Sequence, residues 1–293
     1  MTSLKTHNYS YPVSKKPSER PGIMGRFFKL IKGGIMDYET LLLEKDGPVG
    51  LITLNRPPAH PFNYPAMDNL TKAFNELEND PSIRAIILTG SGDKAFSAGF
   101  DIKSFGDPLN TWIGRYGHIL FTRIERSAKP VVAAINGFAL GGGFELALAC
   151  HLRVMVESET AVLGLPEINL GIIPGWGGTQ RLPRLIGRTR ALEMMLMGRR
   201  INAQEAYDWG LINKISKPGE VLQDAKAFAG ALAKRAPLAL KAILKAVVQG
   251  LDTNMASGLE MELEGADLVK SSRDAQEGML AFIEKREAKF TGE

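Results

Sequence analysis

Short apolar runs, each preceded by a helix-forming segment, constrain the fold of this chain more than any other feature. Residues 83–89, 131–135 and 152–156 are rich in apolar, mostly β-branched side chains and are short enough to be buried strands. The segments that precede these runs have helical character and are predicted to be helices: 67–79, 112–126 and 144–150. Strands that alternate with helices are joined by crossover connections. The pattern therefore predicts an α/β fold with a mainly parallel sheet.

The chain changes character on either side of this alternating region. Before it, residues 41–45 and 49–55 flank Asp46-Gly47-Pro48 and are predicted to form a hairpin. After residue 179, helical patterns dominate, and residues 211–215 are the single strand expected there. The helices predicted in this part are residues 179–186, 189–197, 203–209, 221–235, 237–249, 253–269 and 275–288.

The sequence is predicted to divide into an extension (residues 1–36), an α/β core (37–200) and a helical C-terminal region (201–293). The extension holds seven Lys or Arg and one Glu, a net +6, so the rest of the chain carries 4 − 6 = −2. Its polar residues and prolines predict a disordered, dispensable tail. Alternatives are a translated stretch upstream of a start at Met36, a basic targeting segment, or a partner contact. Because the body is slightly acidic, we expect no nucleic-acid partner.

Composition also bears on membranes, disulfides and location. The sequence contains no apolar run of about 18 residues, the length that a membrane helix requires, so no membrane partner is expected. Cys150 is the only cysteine, which excludes a disulfide within the chain and a cysteine-based zinc cluster. A reducing compartment fits this composition. We expect the cytoplasm, with the mitochondrial matrix as the alternative.

The first segment that could take part in binding or catalysis is residues 95–102, Ala-Phe-Ser-Ala-Gly-Phe-Asp-Ile, which follows a predicted strand. Small residues at such a position let the backbone approach a ligand closely, with N–H groups directed at it. The alternative is an ordinary turn. Ser97 lacks the Gly-x-Ser-x-Gly surroundings of a hydrolase nucleophile.

The second segment is residues 136–146, in which a strand leads through three glycines into a helix. Free N–H groups at a helix start stabilise developing negative charge, although a tight turn alone would also explain the glycines. The segment matches neither the Gly-x-Gly-x-x-Gly dinucleotide fingerprint nor a Walker loop. Glu145 falls in the first helical turn, where the alternative is that it only complements the helix dipole.

The third segment is residues 164–181, which place Glu167 in a largely apolar surrounding. A partly desolvated carboxylate has a raised pKa and is suited to proton transfer. The alternative is that Glu167 forms an ion pair with Arg181 or Arg184.

Taken together, the order, spacing and residue identities of the three segments resemble the motifs of the crotonase (enoyl-CoA hydratase/isomerase) family. The resemblance continues through Gly-Leu-x-Asn-Lys-Ile at residues 210–215 and through residues 277–286. It implies a ClpP/crotonase-like fold, with repeated ββα units, a mainly parallel sheet and a C-terminal helical region for trimerisation. It also implies acyl-CoA thioester substrates, a homotrimer or homohexamer, and a role in fatty acid β-oxidation.

The resemblance assigns the catalytic roles residue by residue. The backbone N–H groups of Phe100 and Gly142 would form the oxyanion hole for the thioester oxygen, and Glu145 and Glu167 would face one water molecule. Glu145 is expected to hold and activate the water, and Glu167 to exchange the proton at C2. Because family isomerases commonly lack a second glutamate like Glu145, the pair favours an enoyl-CoA hydratase. The alternatives are an enoyl-CoA isomerase, an acyl-CoA hydrolase and, remotely, an RNA-binding protein.

The remaining expectations concern binding and two departures from the family pattern. His151 stands where the family often has aspartate, and we expect a structural role at a helix end. Trp176 stands where a small residue is common, and it would reshape the acyl pocket or simply pack. No metal and no cofactor beyond the substrate's coenzyme A are expected. The residues expected to bind coenzyme A or substrate are Ala59, His60, Ala98, Asp101, Ile102, Lys103 and Trp176.

Overall fold

The computed structural model describes residues 30–31 and 35–293, with side chains from residue 38 onwards. Within this part of the chain the strands are β1 (Leu30–Ile31), β2 (Ile35–Tyr38), β3 (Leu41–Asp46), β4 (Val49–Leu54), β5 (Ala85–Gly90), β6 (Ala95–Ser97), β7 (Val131–Ile135), β8 (Phe138–Leu140), β9 (Leu152–Val156), β10 (Leu163–Gly164), β11 (Arg200–Ile201) and β12 (Lys214–Ser216). The α-helices are α1 (Tyr64–Asn79), α2 (Ile113–Glu125), α3 (Gly142–Ala149), α4 (Gly178–Ile186), α5 (Arg188–Met197), α6 (Ala203–Asp208), α7 (Val221–Ala233), α8 (Pro237–Gly250), α9 (Met255–Lys270) and α10 (Arg273–Glu284). Short 3-10 helices span Ile102–Ser104, Pro108–Asn110 and Pro166–Leu170.

The larger sheet has the strand order β1-β2-β3-β4-β5-β7-β9-β12. Its first four strands are antiparallel, and pairing from β4 through β12 is parallel throughout. A smaller sheet has the order β11-β10-β8-β6, in which β8 runs parallel to both of its neighbours. The predicted α/β fold with a mainly parallel sheet and the hairpin of β3 and β4 are confirmed.

The interior forms because the central strands are apolar on both faces. Every residue of β5 and β7 is buried, as expected for strands covered on both sides. Helix α1 begins after Asn63, whose side-chain oxygen accepts the N–H of Ala66 at 3.1 Å and caps the helix. It then packs Leu77 against Gly50 of β4, where an added Cβ would lie 2.5 Å from the leucine Cδ1. Gly50 thus permits close contact between helix and sheet.

Helix α3 is the most enclosed helix and positions much of the site described below. All of its residues are buried, as its almost uniformly apolar sequence requires. At its end, His151 Nδ1 accepts the N–H of Val131 at 2.9 Å, and Nε2 lies 3.0 Å from the carbonyl oxygen of Glu125. Since a carbonyl only accepts, Nε2 carries the proton, and burial lowers the pKa of His151 to about 4. The side chain of Cys150 is enclosed beside it.

Three expectations differ from the structure. The C-terminal strand is Lys214–Ser216 rather than 211–215, and a further strand, Arg200–Ile201, precedes it. Residues 95–97 form β6 of the smaller sheet, although the sequence also allowed an ordinary turn. Strands of two or three residues are too short to show a period of two, so the sequence pattern does not define their bounds. The predicted disorder of residues 1–36 lies for the most part outside the described residues, and of these residues the structure describes only 30–31 and 35–36, which form strand.

Candidate active site

Two backbone amides lie side by side where the smaller sheet meets α3. Phe62 pairs in parallel with Phe100: its N–H donates to Gly99 O at 2.7 Å, and its oxygen accepts the N–H of Asp101 at 2.9 Å. In this pairing the amide of Phe100 itself points away from Phe62. Gly142 is the first residue of α3, so its N–H has no partner within the helix. Within the described residues neither N–H donates to a protein acceptor.

Glycine makes this closeness possible. Gly99 has φ of 83°, and a Cβ built on it would lie 2.5 Å from the nitrogen of Gly142. Gly141 has φ of 53°, which turns the chain from β8 into the helix. Because the backbones touch here, the amides of Phe100 and Gly142 share one small region of space.

Glu145 lies on α3, one turn from these amides, and is only 2% exposed. Its Oε1 accepts the N–H of Trp176 at 2.8 Å and that of Gly178 at 2.7 Å, so the loop before α4 holds it. Burial raises the pKa of Glu145, while those two donors and the charge of Arg181 act in the opposite direction.

Glu167 lies on the 3-10 helix Pro166–Leu170 and has different surroundings. Its Oε1 would lie 3.0 Å from a Cβ on Gly141, which places the carboxyl group at the start of α3. Its Oε2 is buried and has no hydrogen-bond partner among the described residues. Burial first, and the nearby charge of Glu145 second, raise the pKa of Glu167 to about 7. The structure thus brings the two carboxyl groups to the same helix start.

The alternative that Glu167 forms an ion pair with an arginine is wrong. Arg181 pairs with Glu125 instead, with 2.8 Å between Nη2 and Oε2. Arg184 contacts Gln180 on its own helix. No cation therefore neutralises Glu167 within the described part of the chain, and burial remains the largest influence on its pKa.

The loop expected to bind coenzyme A lies beside the first amide. The N–H of Ala98 donates to Ala59 O at 2.8 Å, so these two residues adjoin. His60 is 2% exposed and has φ of 49°. Its Nδ1 accepts the N–H of Arg56 at 3.1 Å, and Nε2 lies 2.9 Å from Ser91 O. The ring therefore fixes the shape of the loop. Ser97 Oγ donates to His60 O at 2.8 Å, which explains that serine without a nucleophilic role.

Residues 101–103 form the rim of this region. Asp101 caps the short helix through the N–H of Lys103 and pairs with Arg56 at 2.9 Å. Ile102 and Lys103 are exposed. An apolar side chain and a cation therefore stand at the surface next to Phe100, and the side chain of Asp101 is committed to the loop.

The Trp176 ring is buried at the centre of an aromatic cluster. It contacts Phe62 and Phe121 edge to face, with ring centroids 6.0 and 5.5 Å apart. The ring also lies against the Cα positions of Gly117 and Gly142. Trp176 is therefore both a packed core residue and a neighbour of the candidate site. No sequence pattern pointed to Phe62 and Phe121, which are brought together only by the fold.

No group of three or more His, Cys, Asp or Glu side chains suited to a metal ion occurs in the described residues. Nor is any helix described there both long and apolar enough to cross a bilayer.

Two unpartnered backbone amides and two buried carboxyl groups of unlike surroundings are the groups that an enzyme needs to stabilise developing negative charge with acid–base assistance. The family model described as enoyl-CoA hydratase/isomerase matches residues 44–293. The chain belongs to this family, and the resemblance inferred from the sequence is confirmed.

Known relatives are similar over nearly the whole folded part. A short-chain-enoyl-CoA hydratase of Clostridium acetobutylicum is 41% identical over 256 residues, covering 86% of this chain and 97% of the relative. A crotonyl-CoA hydratase of Syntrophomonas wolfei is 40% identical, covering 87% and 99%. The crystal structure of an enoyl-CoA hydratase from Bacillus anthracis has a TM-score of 0.83 at 38% identity, covering 87% of this chain and 100% of that one.

Proposed function

We propose that this protein is an enoyl-CoA hydratase that reversibly adds water across the 2,3 double bond of a trans-2-enoyl-CoA to give a 3-hydroxyacyl-CoA. One observation carries the proposal: two buried carboxyl groups of unlike surroundings meet at the helix start that also presents a free amide. A double-bond isomerase needs one base, whereas hydration needs a group that takes a proton from water and one that gives a proton to carbon.

The amides of Phe100 and Gly142 would polarise the thioester. As hydroxide adds to C3, the electrons of the double bond move onto the carbonyl oxygen and form an enolate. Two fixed N–H donors stabilise that oxygen, and one such donor is typically worth about 3–4 kcal/mol. The side chain of residue 100 does not matter for this role, because only its N–H takes part.

The carboxyl groups would divide the proton transfers. Glu145, whose Oε1 is held by two N–H groups, positions the water with its other oxygen and accepts its proton as the C3–O bond forms. Glu167, whose pKa of about 7 keeps much of it protonated near neutral pH, delivers a proton to C2 as the enolate collapses. The protons balance: Glu145 gains one, Glu167 loses one, and exchange with solvent restores both.

Coenzyme A would bind along the neighbouring loops. Ala59 and Ala98 adjoin through a backbone hydrogen bond, and the ring of His60 keeps that loop in shape. The exposed cation of Lys103 suits a phosphate, and Ile102 suits the apolar part of the ligand. Trp176 would limit the acyl end. Asp101 supports this rim through Arg56. The chemistry requires no cofactor besides the coenzyme A of the substrate.

The C-terminal helices favour a homo-oligomer, a trimer or a dimer of trimers. The single cysteine suits a reducing compartment, and the cytoplasm is the location that we propose. Helices α8 and α9 contain no fully buried residue in the single chain. Large apolar side chains on α8–α10 and on the turn between α8 and α9 are exposed, which is typical of surfaces that pack against another subunit. The most exposed are Leu251, Met255, Phe282 and Ile283.

Three activities must be compared on the full chain. A hydratase removes the absorbance of a conjugated 2-enoyl-CoA, an isomerase converts a 3-enoyl-CoA without hydrating it, and a hydrolase releases free thiol. We expect hydration to dominate, and we expect Glu145→Gln and Glu167→Gln to lower it by about 10²–10⁴-fold each while acyl-CoA binding persists. Undiminished hydration in either variant would refute the role given to that glutamate. Thiol release or isomerisation as the main activity would refute the proposal, as would RNA binding by a form starting at Met36 that turns over no acyl-CoA.

A further inference from the structure

Arg181 is a buried cation that the mechanism above does not use. It lies on α4 and is 8% exposed, which is uncommon for an arginine. Its Nη2 pairs with Glu125 Oε2 at 2.8 Å and lies 3.4 Å from Thr122 Oγ1, both on α2. Its Nη1 donates to Trp176 O at 2.7 Å. Its Nε is buried and has no hydrogen-bond partner among the described residues. Burying an arginine with an unpaired donor costs desolvation free energy, which an ion pair at the surface would not require.

The guanidinium lies directly behind the loop that holds Glu145. Gly177 has φ of 110°, and any Cβ there would collide with Nη1 of Arg181, so the guanidinium lies against the bare backbone. The residues on either side of Gly177 are the two whose N–H groups hold Glu145 Oε1. One cation therefore ties this loop to α2 and lies near enough to the carboxylate for its charge to favour the ionised form.

The charges around Glu145 come from three elements. Arg181 faces it from α4, Glu167 from the 3-10 helix, and α2 contributes Glu125, which Arg181 already binds. Helix α3 and strands β6 and β8 add no other titratable side chain. Glu125 is the more exposed partner of the ion pair, with its side chain 30% exposed against 8% for Arg181. Water screens the outer charge more than the inner one, so part of the positive field of Arg181 reaches Glu145.

We propose that Arg181 is a positioning residue that keeps the negative charge on Glu145, so that Glu145 acts as the base and the proton stays on Glu167. This inference rests on the proposed hydratase function. Two carboxyl groups that share one site compete for a single proton, and their surroundings decide which group holds it. Here two N–H donors and Arg181 favour the anion at Glu145, whereas Glu167 has neither a cation nor a donor at Oε2.

Removing the cation should change the pH dependence of turnover more than substrate binding. In Arg181→Gln, Glu145 holds its proton to higher pH. The acidic limb of the plot of kcat against pH therefore moves to higher pH. At a fixed pH on that limb, kcat falls about tenfold for each pH unit of movement. KM for a 2-enoyl-CoA should stay within about twofold, because Arg181 contacts only the backbone oxygen of Trp176 and no other residue of the proposed coenzyme A and substrate site. Arg181→Lys keeps the charge without the forked geometry, so we expect a lower kcat with the limb at its wild-type position.

Arg184→Gln is the matched control. It removes a cation from the same helix at an exposed position that contacts only Gln180, and its profile should match the wild type. A uniform loss of kcat in Arg181→Gln with an unmoved limb would overturn the proposal, since a purely structural arginine predicts that result. If Arg181→Gln does not fold, an acidic limb displaced in the folded Arg181→Lys would overturn it equally. A wild-type enzyme without hydration refutes the proposed function instead, so the two failures are distinct.

Discussion

Gly142→Ala tests the geometry of the proposed oxyanion hole, because no side chain fits at this position. A Cβ on Gly142 would come 2.1 Å from Cζ3 and 2.2 Å from Cε3 of Trp176. Carbon atoms require about 3.5 Å, so the ring or the start of α3 must move by about 1.4 Å. The ring is enclosed by Phe62, Phe121 and Gly117, where a Cβ would already be 2.8 Å away, so it has little room to move.

The helix start is therefore expected to shift and to carry the N–H of Gly142 with it. A displacement of about 1 Å in a reacting group costs about 10²-fold in rate, and loss of one oxyanion donor costs about 10²–10³-fold. We expect kcat for a 2-enoyl-CoA to fall by about that factor. Overpacking should also lower the free energy of unfolding by about 1–3 kcal/mol.

The assay is the decay of enoyl thioester absorbance, with thermal unfolding measured in parallel. Gly114→Ala on α2 is the matched control, because a Cβ there meets nothing within 4 Å. It should leave kcat unchanged and raise stability slightly, by about 0.5–1 kcal/mol. Adding Trp176→Ala to Gly142→Ala should restore part of the lost rate, since the clash is then absent. A folded Gly142→Ala enzyme with wild-type kcat would refute the assignment of this amide.

Three further outcomes follow from the structure. The pKa of Glu167 rises from 4.5 to about 7 on folding, so the native state binds the proton more tightly and stability is lost as pH rises through that window. A pKa difference of one unit corresponds to 1.36 kcal/mol, so Glu167→Gln should remove a pH-dependent contribution of at most about 3 kcal/mol to the free energy of unfolding. Urea unfolding at several pH values measures this contribution. Identical pH dependence of the unfolding free energy in the variant and the wild type would contradict the prediction. Phe282 is 86% exposed in the single chain, and Phe282→Glu should reduce the mass seen by light scattering, whereas an unchanged mass would place the subunit interface elsewhere. A form starting at Met36 should retain wild-type kcat and KM, and a large loss of activity would show that the extension is needed.

Much of the fold was predictable because its central strands are apolar on both faces. Runs such as 83–89 and 131–135 needed no partner information to be identified as buried strands, and they became β5 and β7. The smaller sheet escaped prediction because its strands have only two or three residues and depend on contacts with distant segments. The boundaries at residues 36 and 200 stay predictions.

The candidate site divides in the same way. Glu167 stood out because it is a carboxylate in an apolar segment, which is a property of the local sequence. Glu145 was assigned from its place after the three glycines together with the family resemblance. The partner of Arg181 did not stand out, because Glu125 lies 56 residues earlier and is a neighbour only through helix packing. The aromatic enclosure of Trp176 likewise comes from residues on α2 and before α1. The roles assigned to these residues stay predictions until the variants are measured.

The enclosed thiol of Cys150 has a practical consequence. It is the only cysteine in the chain, it is 3% exposed, and burial raises its pKa to about 12. The thiolate is the form that alkylating and disulfide reagents attack, so the native protein should contribute almost no background colour when liberated coenzyme A is titrated. The rate at which this thiol is labelled would instead report how often α3 opens. The same measurement would therefore detect local unfolding in every variant.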